Sequence, residues 1–152
     1  MGRKVKMEMK FYDCMDVEDD KIKFAVIVAR HMGAWMFCRH RERATFEAAG
    51  GHREINEDIR HTAERELFEE TGAVEFTMSP VCVYSVTGKN RVNATGQETF
   101  GMLFYAEISR FGEKPESEIE EVRLLPGLPS EWTYPLIQPK LIEKVVASGF
   151  TG

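Results

Sequence analysis

Residues 50–73 read GGHREINEDIRHTAERELFEETGA, and this segment carries both a start and a stop signal for one helix. A Gly pair and a short polar turn lead into it. Asn56 is the expected N-cap, with Asp58 the alternative, because a short polar side chain can accept a backbone N–H left unpaired at a helix start. Acidic residues at that end suit the positive pole of the helix dipole, and Gly72 supplies a C-terminal stop. Ile59, Ala63 and Leu67 recur every four residues and form the stripe that docks the helix on a sheet. Phe68 falls off that stripe and is expected to meet another part of the core.

The last turns are unusual for a helix that only has to fold. At about 100° per residue, Glu66, Glu69 and Glu70 share one arc of about 100°. Like charges at this spacing destabilise an isolated helix by about 0.2–0.5 kcal/mol per pair. They also lie near the negative end of the dipole, and Arg65 offsets only part of the repulsion. A divalent cation among the carboxylates accounts for the crowding. Hard oxygen ligands suit Mg²⁺, held by a few carboxylates plus substrate phosphates. A solvated acidic face is the alternative.

The spacing decides between them. Gly51, five residues, Glu57, seven residues, Arg65-Glu66-Leu67, one residue, Glu69-Glu70, one residue and Gly72 resembles the signature of the Nudix hydrolases. Two positions depart from that pattern. Ala73 stands where a larger aliphatic residue is usual, and Ala49 where a Pro commonly precedes the Gly pair, with Phe46 in the aromatic place before it. The resemblance implies an α/β fold, an α/β/α sandwich with a mixed sheet, in which the box forms a loop-helix-loop. It implies hydrolysis of a nucleoside diphosphate linked to another group, with Mg²⁺ as cofactor and Mn²⁺ able to substitute. Glu66, Glu69 and Glu70 become the metal ligands, joined by the Gly51 carbonyl, and Arg65 holds the carboxylates in place. Nudix enzymes often add a carboxylate from outside the box. Glu118 is the first candidate, ahead of Glu116, Glu121 and Glu98, and a solvated acidic loop is the plain alternative. The catalytic set is then Glu66, Arg65 and Glu69, with Glu66 and Glu118 competing as general base.

The rest of the chain bounds this reading. A length of 152 residues suits one domain, 1–152, with a sizeable core. Hydrophobic residues at 43% and charged residues at 30% are ordinary for a globular protein. A net charge of -5 argues against stable nucleic acid binding, which needs clustered Lys and Arg. No apolar run is long enough to span a membrane, and the N-terminus lacks the apolar region of a signal peptide. Cys14, Cys38 and Cys82 are widely spaced and fit reduced thiols in a cytoplasmic protein.

Along the chain, Met7 to Tyr12 is a weak strand and Asp16 to Asp20 an acidic turn. Phe24 to Ala29 is a continuous apolar run, the mark of a strand buried on both faces. Met32-Gly33 breaks it, and Ala34 to Arg39 reads as its hairpin partner. Arg39, Arg41 and Arg43 lie close to the box. They either contact substrate phosphate or form a solvated turn. Glu57 caps backbone groups or pairs with Arg65, or else joins the metal site. His52 and His61 read as surface or turn residues. Val81 to Val86 and Thr99 to Ile108 are strands, joined by a loop through Gly88-Lys89-Asn90 and Asn93 to Gly96 of the sort that carries specificity. Val122 to Leu125 is a short strand. Pro139 fits a first helical turn, and Leu141, Ile142, Val145 and Val146 make an apolar stripe ended by Gly149. Trp132, Tyr134 and Phe150 read as core, with stacking on a nucleobase as the alternative.

Signatures of ADP-ribose, NADH and coenzyme A hydrolases are not evident after the box. The leading expectation is therefore a nucleoside triphosphate pyrophosphohydrolase, with oxidised purine nucleotides as one candidate substrate. Other sugar-linked or capped diphosphates, and a non-catalytic nucleotide-binding regulator, are the alternatives. A homodimer is one expected assembly.

Overall fold

The computed structural model describes residues 7–88 and 95–150. Lys89, Asn90, Asn93 and Ala94 of the expected specificity loop lie outside the described residues. In chain order the elements are β1 (Glu8–Tyr12), β2 (Ile22–His31), β3 (Ala34–His40), β4 (Ala49–His52), α1 (Ile59–Thr71), β5 (Ala73–Thr87), β6 (Thr99–Phe111), β7 (Ile119–Leu125) and α2 (Gln138–Ala147).

The strands form one sheet in the order β1-β5-β6-β2-β3-β7, with β4 also paired to β2. The β2–β6 pairing is parallel and the others are antiparallel, so the sheet is mixed. Period-two alternation then sorts side chains between two layers. Ala25, Ile27 and Ala29 of β2 face the core under α1, while Phe24, Val26 and Val28 face the core under α2. On β6, Met102, Phe104 and Ala106 join the first core and Leu103 and Tyr105 the second. Ile59, Ala63 and Leu67 seat α1 on one face. Leu141, Ile142 and Val145 seat α2 on the other. The result is the expected α/β class, a mixed, open sheet between helices.

One edge of β2 positions the site. Its C-terminal half pairs with β3 through Ala29↔Met36 to His31↔Ala34, and its N-terminal half pairs with β4 through Phe24↔His52 to Ile27↔Ala49. The β2–β3 turn places both Met32 (φ 48°) and Gly33 (φ 80°) in the left-handed region, as a tight two-residue hairpin requires. Beyond it β3 leaves β2, and β4 enters the space and carries the Gly pair.

Several local expectations change. Asp58, not Asn56, caps α1: its Oδ1 accepts the His61 N–H at 2.8 Å, while Asn56 takes φ 65° in the turn before it. Gly72 ends the helix at φ 79°, as expected. Phe68 is exposed rather than packed, because its face of α1 turns away from the sheet. Val146 likewise points outward from α2. β5 runs from Ala73 straight through to Thr87, its register shifting at Pro80, where a ladder donor is missing. β7 begins at Ile119 rather than Val122, because its pairing with β3 reaches back to His40.

Candidate active site

The site is assembled from β4, α1 and the chain leading into β7. At the Gly pair, two backbones and a carboxylate come closer than side chains allow. A Cβ on Gly50 would lie 2.4 Å from the Ala25 carbonyl oxygen. A Cβ on Gly51 would lie 2.4 Å from Glu66 Cδ. Gly50 thus lets β4 seat against β2, and Gly51 makes room for the Glu66 carboxylate.

Arg65 is the hub of the acidic cluster. Its Nε donates to Glu57 Oε2 at 2.7 Å and its Nη2 to Glu57 Oε1 at 3.0 Å. Nη1 donates to Glu66 Oε1 at 2.8 Å and reaches Glu69 Oε2 at 3.4 Å. Nη2 also donates to the His52 carbonyl at 3.1 Å, tying α1 to β4. Glu57 is held further by the Thr62 hydroxyl at 2.6 Å and the Glu54 N–H at 3.1 Å. Both expected structural roles of Glu57 therefore occur together, capping a turn and pairing with Arg65. The Arg65 guanidinium holds the Glu57 carboxyl well below the usual carboxylate range.

The carboxylates facing β4 behave in the opposite way. Burial pushes Glu70 up to about 8, and the nearby Glu66, Glu47 and Glu69 add to the shift. The Gly50 N–H, which donates to Glu70 Oε1 at 2.8 Å, opposes it. Burial raises Glu66 as well, against the pull of Arg65. Glu69 is the most open of the three. Among the described residues, no three His, Cys, Asp or Glu side chains are gathered closely enough to hold a metal ion as they stand. Glu66 and Glu69 are turned to Arg65, and Glu70 to Gly50.

A cavity of about 310 Å³ opens beside these groups. Its lining combines polar groups, among them Gly51, His52, Glu70 and Glu118, with apolar side chains, among them Tyr84, Val86, Ile137 and Leu141. Glu118 lies at the cavity edge, largely solvent-facing, with His40 Nε2 at 3.2 Å from its Oε2. Of the three arginines near the box, Arg43 lines this cavity and approaches Glu47 Oε1 at 3.3 Å. Arg39 is engaged with Glu121 at 3.0 Å and, with Arg41, lines a neighbouring depression. Glu121 is held below the usual carboxylate range by Arg39 and Arg123. Glu98 bonds the Tyr12 and Ser85 hydroxyls.

Tyr134 lines the cavity, whereas Trp132 packs on Phe37 and Phe150 on Tyr105. His52 lies at the cavity edge, and His61 on the surface near Glu57. Two further polar residues of the cavity, Glu47 and Gln138, belong to no motif in the sequence. Glu47 had a signal, since it is a lone charge inside the otherwise apolar run Phe46 to Gly51. Burial raises its carboxyl, which Arg43 partly offsets. Gln138 had none.

Residues 19–131 match the family model described as NUDIX domain. No curated protein matches the chain. Among solved structures, the chain is similar to the Bacillus subtilis pyrophosphohydrolase BsRppH at 22% identity, covering 97% of this chain and 94% of that one, with a TM-score of 0.78. It is also similar to a MutT NUDIX hydrolase from Burkholderia pseudomallei, at 19% identity over 80% of this chain and 95% of the other, TM-score 0.58. The NUDIX domain of Shewanella oneidensis NrtR, solved with ADP ribose, is 12% identical over 87% and 93% of the two chains, TM-score 0.64.

Proposed function

The chain belongs to the NUDIX family and is a Nudix pyrophosphohydrolase, and on that premise we propose that it hydrolyses nucleoside triphosphates with Mg²⁺ or Mn²⁺ as cofactor. The observation that carries this reading is the juxtaposition of half-buried carboxylates with a cavity whose wall is largely apolar. The donor set fits a hard divalent cation. Glu66, Glu69 and Glu70 crowd one helix end, burial and then the neighbouring carboxylates raise the Glu70 carboxyl, and Gly51 leaves space beside Glu66 that any side chain would fill. These three residues would hold the cation, with the Gly51 carbonyl and Glu118 completing the ligand set. Bound there, it supplies neutralisation of the phosphate oxygens and a lower pKa for water.

The protein's own groups do the remaining work. Glu57 fixes Arg65, and Arg65 sets the orientation of Glu66 and Glu69. A glutamate, Glu66 or Glu118, takes the proton from the attacking water. The water oxygen bonds to phosphorus as the anhydride P–O bond breaks, and the released electron pair leaves with pyrophosphate. Arg43, which lines the cavity, meets the phosphate, with Arg39 and Arg41 in the neighbouring depression assisting. The apolar side chains of the cavity accept the base, and an oxidised purine is one candidate.

The ligand is a free nucleotide rather than a nucleic acid, in keeping with a net charge of -5. We place the protein in the cytoplasm as one domain over residues 1–152, with a homodimer as its assembly. All three cysteines are free, and no described helix is long and apolar enough to cross a membrane. A sugar-linked or capped diphosphate is the second enzymatic reading. A nucleotide-binding regulator on this fold would have little need for three crowded carboxylates and their arginine, which favours hydrolysis. The test is a panel of nucleoside triphosphates, dinucleoside polyphosphates and sugar nucleotides with Mg²⁺, with the products identified. Pyrophosphate release from triphosphates supports the proposal. Nucleotide binding without any hydrolysis across Mg²⁺ and Mn²⁺ would replace it with the regulator.

A further inference from the structure

The inner wall of the cavity carries a polar side chain that the hydrolytic reading leaves without a role. Gln138 opens α2, is only 5% exposed, and lines the cavity beside Tyr134, Ile137 and Leu141. Its Oε1 accepts the backbone N–H of Ala48 at 2.8 Å. A glutamine can ordinarily present a donor or an acceptor by turning its amide over. This one cannot. Ala48 is buried, so its N–H requires an acceptor, and turning the amide would set donor against donor. The oxygen therefore faces the chain entering β4, and the amide nitrogen is left over. Gln138 Nε2 has no hydrogen-bond partner among the described residues and is not sealed inside the protein.

We propose that Gln138 Nε2 donates to an exocyclic carbonyl oxygen of the nucleobase, so that the cavity takes keto purines, guanine or hypoxanthine, in preference to adenine. This rests on the reading of the cavity as the nucleotide site. A keto purine presents an acceptor at O6, where adenine presents the N6 amine, a donor. Adenine would therefore leave Gln138 Nε2 and its own amine facing each other without partners. Phe24, Val26, Val86 and Leu141 line the same cavity and offer neither group a replacement partner. A site built to bond one polar group discriminates strongly against an analogue that lacks it.

The test compares inosine and adenosine monophosphates by calorimetry, alongside turnover of the matching triphosphates. The wild-type protein is expected to bind the inosine form about tenfold more tightly, the scale of one net hydrogen bond. Gln138→Met removes the donor and should bring the two affinities together. Gln138→Glu at alkaline pH keeps an acceptor for Ala48 and offers the base only an acceptor, so the preference should reverse. Circular dichroism establishes that each variant is folded. Equal wild-type affinities, including no binding of either nucleotide, overturn the proposal. So does an undiminished inosine preference in folded Gln138→Glu. A retained preference without any triphosphate hydrolysis supports the base-reading role and removes the hydrolase reading alone.

Discussion

Arg65 grips Glu57 through two nitrogens, Nε at 2.7 Å and Nη2 at 3.0 Å, although Glu57 lies outside α1, before its N-cap Asp58. The contact is made because Glu57 precedes the helix and Asn56 turns left-handed before it, bringing its carboxylate back over α1. A fork-to-fork pair of this kind fixes geometry as well as charge. It leaves Arg65 Nη1 aimed at Glu66 and Glu69, where the box carboxylates are oriented.

This pair gives stability a defined pH dependence. Glu57 is depressed in the folded state, so its contribution is fully present above the unfolded carboxyl value of about 4.3 and is lost as pH falls below it. Arg65 stays charged throughout and adds no transition of its own. Urea melts across pH should show Glu57→Gln less stable than wild type at neutral pH and flatter on the acid side. Parallel acid limbs in the two proteins would dismiss the pair as a stabilising contact.

Glu69→Gln and Glu70→Gln should each lower kcat/KM by about 100-fold with the fold retained, since each removes a carboxylate from the proposed metal site. Steady-state kinetics under saturating Mg²⁺, with circular dichroism as the control, make the comparison. Turnover close to wild type in both variants would remove the proposed metal site.

The two glycines should respond differently to alanine. At Gly51 the new Cβ meets the far end of the Glu66 side chain, which can swing away. Stability should change by less than about 1 kcal/mol while activity falls by about 100-fold, the effect of a displaced reacting group. At Gly50 the new Cβ meets the Ala25 carbonyl, and backbone cannot swing. There the loss should appear in stability, about 1–3 kcal/mol. Thermal melts and kcat/KM on both variants separate the cases, and equal stability losses would contradict them.

Adjacent residues of α1 should differ as sharply. Leu67→Ala should cost about 2–5 kcal/mol, because the side chain is fully buried between helix and sheet. Phe68→Ala should stay within about 0.5 kcal/mol, since its ring is exposed. Denaturant melts measure both, and comparable losses would mean that α1 docks through a different face.

Much of this was legible in the chain itself. The apolar run from Phe24 to Ala29, the turn at Met32-Gly33 and the four-residue stripe of Ile59, Ala63 and Leu67 are local patterns, and each became the element its period implied. The crowded glutamates and Arg65 were legible for the same reason, since one helix carries them all. Capping by Asp58 over Asn56 was not, because the choice depends on how the turn before the helix closes, with Asn56 at φ 65°. The exposure of Phe68 and Val146 depends on which arc of each helix the sheet covers.

The sequence by itself therefore determined the helix, its acidic end and the family, because those signals lie within a few turns of continuous chain. Tertiary structure alone decided what stands opposite them. Glu118 comes from beyond β6, Tyr84 from β5 and Gln138 from the start of α2, and no local period links any of them to the box. Only the insertion of β4 beside β2 and the docking of α2 across the sheet bring a half-buried carboxylate, apolar side chains and one fixed amide to the same cavity. Chemistry that one helix carries can be read from spacing, whereas the shape of what it acts on is set by contacts between residues far apart in the chain.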